Sequence, residues 1–166
     1  MRLTRAAACR TLAACLAVLS LASPALAQRP ATVLDVAAQQ KNLSTFVGAV
    51  HTAGLDDVFR AAGPITVYAP TDAAFARLST AERDALLGNH DRLRAMLLGS
   101  VVKDAITMGD PENVISSGSV TTVSGRDLTF GIDDRSHTTI GGAHLVAWDM
   151  RADNGSVNAI DKVLLP

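Results

Sequence analysis

Two histidines, His137 and His144, flank a segment that reads as a strand followed by a Gly141-Gly142 turn into a second strand. If the two strands pair, the imidazoles come close enough to share a metal ion. No cysteine and no carboxylate at ligand spacing accompanies them, so they are read as partly exposed strand residues. Asp149, Asp153, Asn154 and Gly155 collect the oxygens that calcium prefers. The alternating ligands and closing Glu of an EF-hand loop are missing, and a turn is the plainer reading. Acyl-transfer chemistry finds no nucleophile elbow, because no Gly-x-Ser-x-Gly occurs and Ser117 and Ser119 only flank Gly118. His51 falls near a helix end and His90 at a helix start, where neither requires a catalytic role. Asn42-Leu43-Ser44 and Asn154-Gly155-Ser156 have the form of glycosylation acceptors. The expectation is no catalytic residue, no bound metal and no cofactor.

The elements that would position these residues begin after a targeting segment. Arg2, Arg5 and Arg10 precede an apolar stretch, Leu12 to Leu21, that ends at Ala25-Leu26-Ala27. This is the layout of a cleavable secretory signal over residues 1–27. The apolar stretch is about half of the roughly twenty residues that a spanning helix needs, so no transmembrane anchor is expected. Leu12-Ala13-Ala14-Cys15 has the form of a lipoprotein box, but Arg10 interrupts the apolar run that should precede it. Lipid anchoring at Cys15 therefore ranks second to simple cleavage. The Ala- and Arg-rich leader suggests a bacterial chain bound for the periplasm or the medium.

Residues 28–166 have the length of one domain. Both cysteines, Cys9 and Cys15, lie in the leader, so this domain must be held by packing alone. Three of the 15 basic residues also lie there, which leaves 12 against 16 acidic ones. A net negative domain with few aromatic residues is a poor nucleic-acid binder.

Up to about Leu98 the signals are helical. Leu43, Phe46, Val47 and Val50 share one helix face, and Gly54 ends that helix. Ser79 and Glu82 have capping-box spacing, and Asn89 can cap the helix carrying Leu93, Met96 and Leu97. Embedded among the helices, Ile65 to Ala69 alternates with period two and predicts a half-buried strand. Pro70 should break its ladder, and Thr71-Asp72 should cap the helix that carries Phe75. Beyond Val101 the pattern alternates, with turns at Ser124-Gly125-Arg126, Asp133-Asp134-Arg135 and Gly141-Gly142, as in antiparallel strands. The whole is an α+β domain without internal repeats.

Two segments carry a family resemblance. Thr66-Val67-Tyr68-Ala69-Pro70-Thr71-Asp72-Ala73-Ala74-Phe75 resembles the first signature of fasciclin (FAS1) domains, and Asn154 to Pro166 resembles the second. Thr66, Pro70, Thr71, Asp72, Phe75, Asn154, Gly155, Asp161, Leu164 and Pro166 are the matching residues, and their expected role is structural. The resemblance implies a wedge-shaped antiparallel β-sandwich with packed helices. It also implies a noncatalytic role in adhesion or in binding an extracellular or cell-surface protein or glycan.

Departures from the family bear on that role. Gly99-Ser100 stands where the family has a Tyr-His pair, Asn158 stands for a His, and Asp149-Met150 stands for Asp-Ile. No Arg-Gly-Asp tripeptide occurs, so integrin-type recognition is not expected. Asp149, Met150, Asn158, Ser100 and Trp148 are the candidate partner-binding residues. An alternative reading is a periplasmic small-molecule binder with a cleft between helices and sandwich, lined by Ser100, Trp148 and Met150.

Overall fold

The computed structural model describes residues 31–104, 106 and 118–165. The leader with Cys15, the residues around Ser117 and the terminal Pro166 lie outside the described residues.

The helical half forms where local signals specify it. Thr32 and Asp35 make a reciprocal capping box at the start of α1 (Val33–Gln39), and Ser79 and Glu82 make another at α5 (Thr80–Leu87). Asn89 accepts the Arg92 amide at the start of α6 (His90–Leu98), and Thr71 accepts the Ala74 amide at α4 (Asp72–Ala76). α2 (Ser44–Thr52) buries Phe46 and Val50 on the expected face, and Gly54, with φ of +61°, turns the chain into α3 (Asp56–Arg60). Phe46 and Phe59 meet edge to face with ring centroids 5.8 Å apart, which joins α2 to α3.

The strands are β1 (Ile65–Pro70), β2 (Val101–Val102), β3 (Ser119–Thr121), β4 (Asp127–Ile132), β5 (Thr138–Ile140), β6 (Ala143–Ala152) and β7 (Gly155–Ile160). They form one sheet in the order β2-β1-β7-β6-β5-β4-β3. A bridge between Val102 and Thr122, and a 2.7 Å bond from the Val123 amide to the Val101 carbonyl, bring its two ends together. The sheet is thus nearly closed, with helices packed on one side. Five of its six pairings are antiparallel; β1 and β7 run parallel, joining the two signature segments in register from Ile65–Gly155 to Pro70–Ile160.

β1 departs from the half-buried expectation, because all six of its residues are buried. Val67 and Ala69, with Val157 and Ala159 of β7, pack under the helices. Tyr68 and Ile160 face the other way, into a second core with Val102, Leu128, Phe130, Ile140, Ala143 and Leu164. Thr66 is tolerated there because its hydroxyl donates to the Asp104 carbonyl at 2.7 Å and accepts the Ile106 amide at 3.0 Å. Pro70 does not end the ladder either, since the Thr71 amide still donates to the Ile160 carbonyl at 3.0 Å. The strand stops one residue later, where Thr71 becomes the cap of α4.

Candidate binding face and histidine–carboxylate cluster

β6 is the longest strand and the least regular. Its register against β7 shifts twice, between Leu145 and Ala147 and again between Ala147 and Met150. Each shift places an extra residue on β6 and re-aims the side chains. Val146 and Trp148 consequently point outward, with Trp148 60% exposed. The second irregularity holds Asp149 at φ +53°, a left-handed conformation that Asp tolerates better than most residues. Asn158 stabilises it, its Oδ1 accepting the Asp149 amide at 2.8 Å, while the Asp149 carboxylate pairs with Arg151 at 3.1 Å.

The five sequence candidates therefore separate. Trp148 is presented to solvent, and Asp149 and Met150 lie partly exposed beside it. Ser100 and Asn158 are fully buried. Ser100 donates its hydroxyl to the Met96 carbonyl at 2.9 Å, closing the end of α6. Asn158 acts from inside, by holding the backbone that displays Trp148. Its register neighbour is Tyr68, also fully buried, and burial pushes the Tyr68 phenol up, partly offset by the Asn158 side chain. Ser100, Trp148 and Met150 are not neighbours in the sheet: β1 and β7 lie between β2, which follows Ser100, and the strand that carries Trp148 and Met150.

Asn154 is fully engaged at the end of β6. Its Oδ1 accepts the Val33 amide at 2.8 Å, and its Nδ2 donates to the carbonyls of Phe59 and Ala61 at 3.0 and 2.9 Å. Its backbone carbonyl accepts the Ile65 amide. These bonds tie the turn after β6 to α1, to the end of α3 and to the start of β1.

In the second feature the two histidines meet as the pairing of their strands predicts, but the carboxylates that join them were not legible in the sequence. Turn β4–β5 brings Asp133 to both histidines, its Oδ2 lying 3.1 Å from His137 Nδ1 and 3.1 Å from His144 Nε2. The two rings stand edge to face, 6.1 Å apart. Asp161, from the second signature, reaches the other nitrogen, its Oδ2 being 3.1 Å from His144 Nδ1. The same carboxylate accepts the His144 amide at 2.8 Å and the Arg77 guanidinium at 2.9 Å. The His137 amide, joined by the His137 side chain and the Arg135 amide, outweighs the opposing effect of desolvation and holds the Asp133 carboxyl at about 2. Burial pushes Asp161 up, but hydrogen bonds from Arg77 and His144 outweigh it and leave it below the ordinary carboxylate value. A cleft of about 430 Å³ opens beside these residues, lined also by Asp134, Arg135 and Val146. Among the described residues no group of three or more His, Cys, Asp or Glu side chains is placed to hold a metal ion.

Comparison with known proteins decides the family. The Fasciclin domain profile matches residues 41–166. The chain belongs to the fasciclin domain family. It is 37% identical over 137 residues to Protein sll1483 of Synechocystis, a match covering 81% of this chain and 73% of that protein. It is 35% identical over 104 residues to the cell surface glycolipoprotein MPB83 of Mycobacterium bovis, covering 63% of this chain and 44% of that protein. Among solved structures, a FAS1 domain pair from the insect cell adhesion molecule Fasciclin I superposes with a TM-score of 0.59 at 24% identity, over 74% of this chain and 45% of that one. No described helix is long and apolar enough to cross a membrane.

Proposed function

We propose that this fasciclin domain is a noncatalytic binding module. It acts outside the cytoplasm after removal of residues 1–27, and it attaches to a protein or glycan at a cell surface or in extracellular matrix through the outer face of β6. The observation that carries this reading is Trp148, a large ring held in solvent within the second register shift of β6 and next to the left-handed Asp149, while Ala147 and Met150 on either side pack inward. Strained backbone of this kind is more readily understood as displaying a contact than as packing. Trp is also the side chain that most often dominates a binding surface. The names of a cell-surface relative and of an adhesion-molecule structural neighbour support the extracellular setting.

The test is attachment of the purified domain to surfaces coated with cell-envelope or matrix material, comparing wild type with Trp148→Ala and Asp149→Lys. Loss of attachment in both variants, with an unchanged thermal midpoint in Trp148→Ala, supports the assignment. Attachment that ignores both substitutions removes β6 as the contact face. Periodate or protease treatment of the coat distinguishes a glycan from a protein partner.

A further inference from the structure

Both ring nitrogens of His144 face carboxylates, Nδ1 towards Asp161 and Nε2 towards Asp133, each at 3.1 Å. A neutral imidazole has a single N–H, so its other nitrogen presents a lone pair. Only the doubly protonated ring donates to both partners. In the neutral ring one contact becomes a lone pair against a carboxylate oxygen, and an attraction turns into a repulsion.

We propose that His144 is a proton-operated clamp that, as imidazolium, ties the β4–β5 turn at Asp133 to the chain leaving β7 at Asp161. The partners are unequal. Asp161 keeps its bonds to Arg77 and to the His144 backbone amide whatever the ring's charge. On losing a proton, His144 therefore retains Nδ1–H towards Asp161 and turns its Nε2 lone pair on Asp133. The joint that releases is the one to the turn.

The charged groups around the ring set the response. From the turn come Asp133, Asp134, Arg135 and His137, and from beyond β7 come Asp161 and Lys162. Arg77 approaches from the end of α4. His137 also contacts Asp133 Oδ2, but it leaves the same turn and cannot join it to another strand. Asp133 Oδ1 accepts the amides of Arg135 and His137 at 2.8 and 2.7 Å, so the carboxylate that His144 holds in place also protects the amides of the turn, and its release exposes them. Release thus widens the cleft between the turn and β6 and leaves its wall with uncompensated negative charge.

The experiment is nitrogen–proton correlation of the histidine rings in the folded domain between about pH 5 and pH 8, where histidine ordinarily changes charge. Amide exchange at Arg135, Ser136 and His137 is measured in parallel and corrected for intrinsic base catalysis. Expected at the acid end is a His144 ring protonated at both nitrogens; at the alkaline end the proton stays on Nδ1 and turn exchange rises on the order of two- to fivefold, as an exposed charge pair allows. His144→Gln should abolish that rise and His137→Asn should leave it. A neutral ring throughout, an Nε2–H tautomer at the alkaline end, or a rise that survives in His144→Gln would overturn the clamp. The wild-type ring signals decide even where a variant fails to fold.

Discussion

The carboxylate of Asp72, the first residue of α4, accepts the amide of Thr45 at 2.7 Å and the hydroxyl of Ser44 at 2.8 Å, both at the start of α2. α2 has Leu43 at its N-cap and no side-chain cap of its own. Thr71 caps α4, so the adjacent Thr-Asp pair caps two different helices. Burial pushes Asp72 up, but its hydrogen bonds from Thr45 and Ser44 outweigh this and leave its carboxyl lowered. Asp72→Ala should cost about 1 kcal/mol, as loss of an N-cap does, and Thr71→Ala about the same, measured by urea unfolding. Because each serves a different helix, the double variant should lose nearly the sum. A double variant no worse than either single one would show that the two caps act as one unit.

Asn154 offers a sharper contrast. Replacing it by Ala removes three hydrogen bonds and strands the carbonyls of Phe59 and Ala61, at a cost of about 1–3 kcal/mol. Asn154→Asp keeps the acceptor for the Val33 amide but aims a carboxylate oxygen at those two carbonyls. It should destabilise more than Ala does above the carboxylate's titration and recover in part on acidification. Thermal midpoints at two pH values would show this, and a more tolerant Asp than Ala would contradict the bonding described.

Backbone contact makes two glycines irreplaceable and leaves a third free. A Cβ on Gly155, whose φ is +154°, would fall on the Ile65 carbonyl, and one on Gly63 would fall on the Asn154 carbonyl. Both lie where the turn after β6 crosses the start of β1, and either change to Ala should cost about 1–3 kcal/mol or more. Gly48 lies within α2 with nothing within 4 Å of its added Cβ. Gly48→Ala should instead stabilise by about 0.5–1 kcal/mol. Chemical denaturation of the three variants tests both signs.

What was legible in the sequence was local. Ser79 with Glu82, Asn89, and the Phe46–Val50 face specify their elements through neighbours three or four residues away, and the structure places them as expected. Pairing across the chain was hidden. Thr66 and Tyr68 look like the wet face of a half-buried strand, and only the closing of the sheet behind them buries that face. Asp72 looks like a cap for its own helix because the open end of α2 lies 27 residues away. Asp133 reads as turn chemistry and Asp161 as a structural residue of the second signature; their convergence on His144 depends on β4, β5, β6 and β7 being neighbours in order. The register shifts that turn Trp148 outward have no composition signal, since neither Gly nor Pro marks them.

Acid should weaken the fold through the same turn. Asp133 is held at about 2 in the native state by the His137 amide and its other partners, against an ordinary value near 3.8 when unfolded. A depressed carboxyl contributes stability that is complete above its unfolded value and fades as pH falls through its folded one. Lowering the pH from about 4 to about 2 should therefore erode stability, with Asp161, Asp72 and Asp35 contributing in the same direction. Asp133→Asn should flatten this acid limb. Urea midpoints across that interval would reveal it, and an unchanged slope in the variant would remove Asp133 from the account.

Trp148 is the position where stability and binding should part company. Its ring is mostly in solvent, so Trp148→Ala should move folding stability by no more than about 0.5 kcal/mol, the ordinary range for surface substitutions. If the outer face of β6 is the contact, the same change should weaken attachment by 2 kcal/mol or more, about thirtyfold, as truncation of a central aromatic anchor does. Asn158→Ala should produce the complementary pattern. Removal of the buried acceptor frees Asp149 from its left-handed conformation, so the fold loses stability and Trp148 loses its aim, although Asn158 itself touches no partner. Binding isotherms set beside unfolding curves for both variants would separate a displayed contact from the scaffold that displays it. Equal losses of stability in the two variants would mean that Trp148 belongs to the packing of the sheet and not to a binding face.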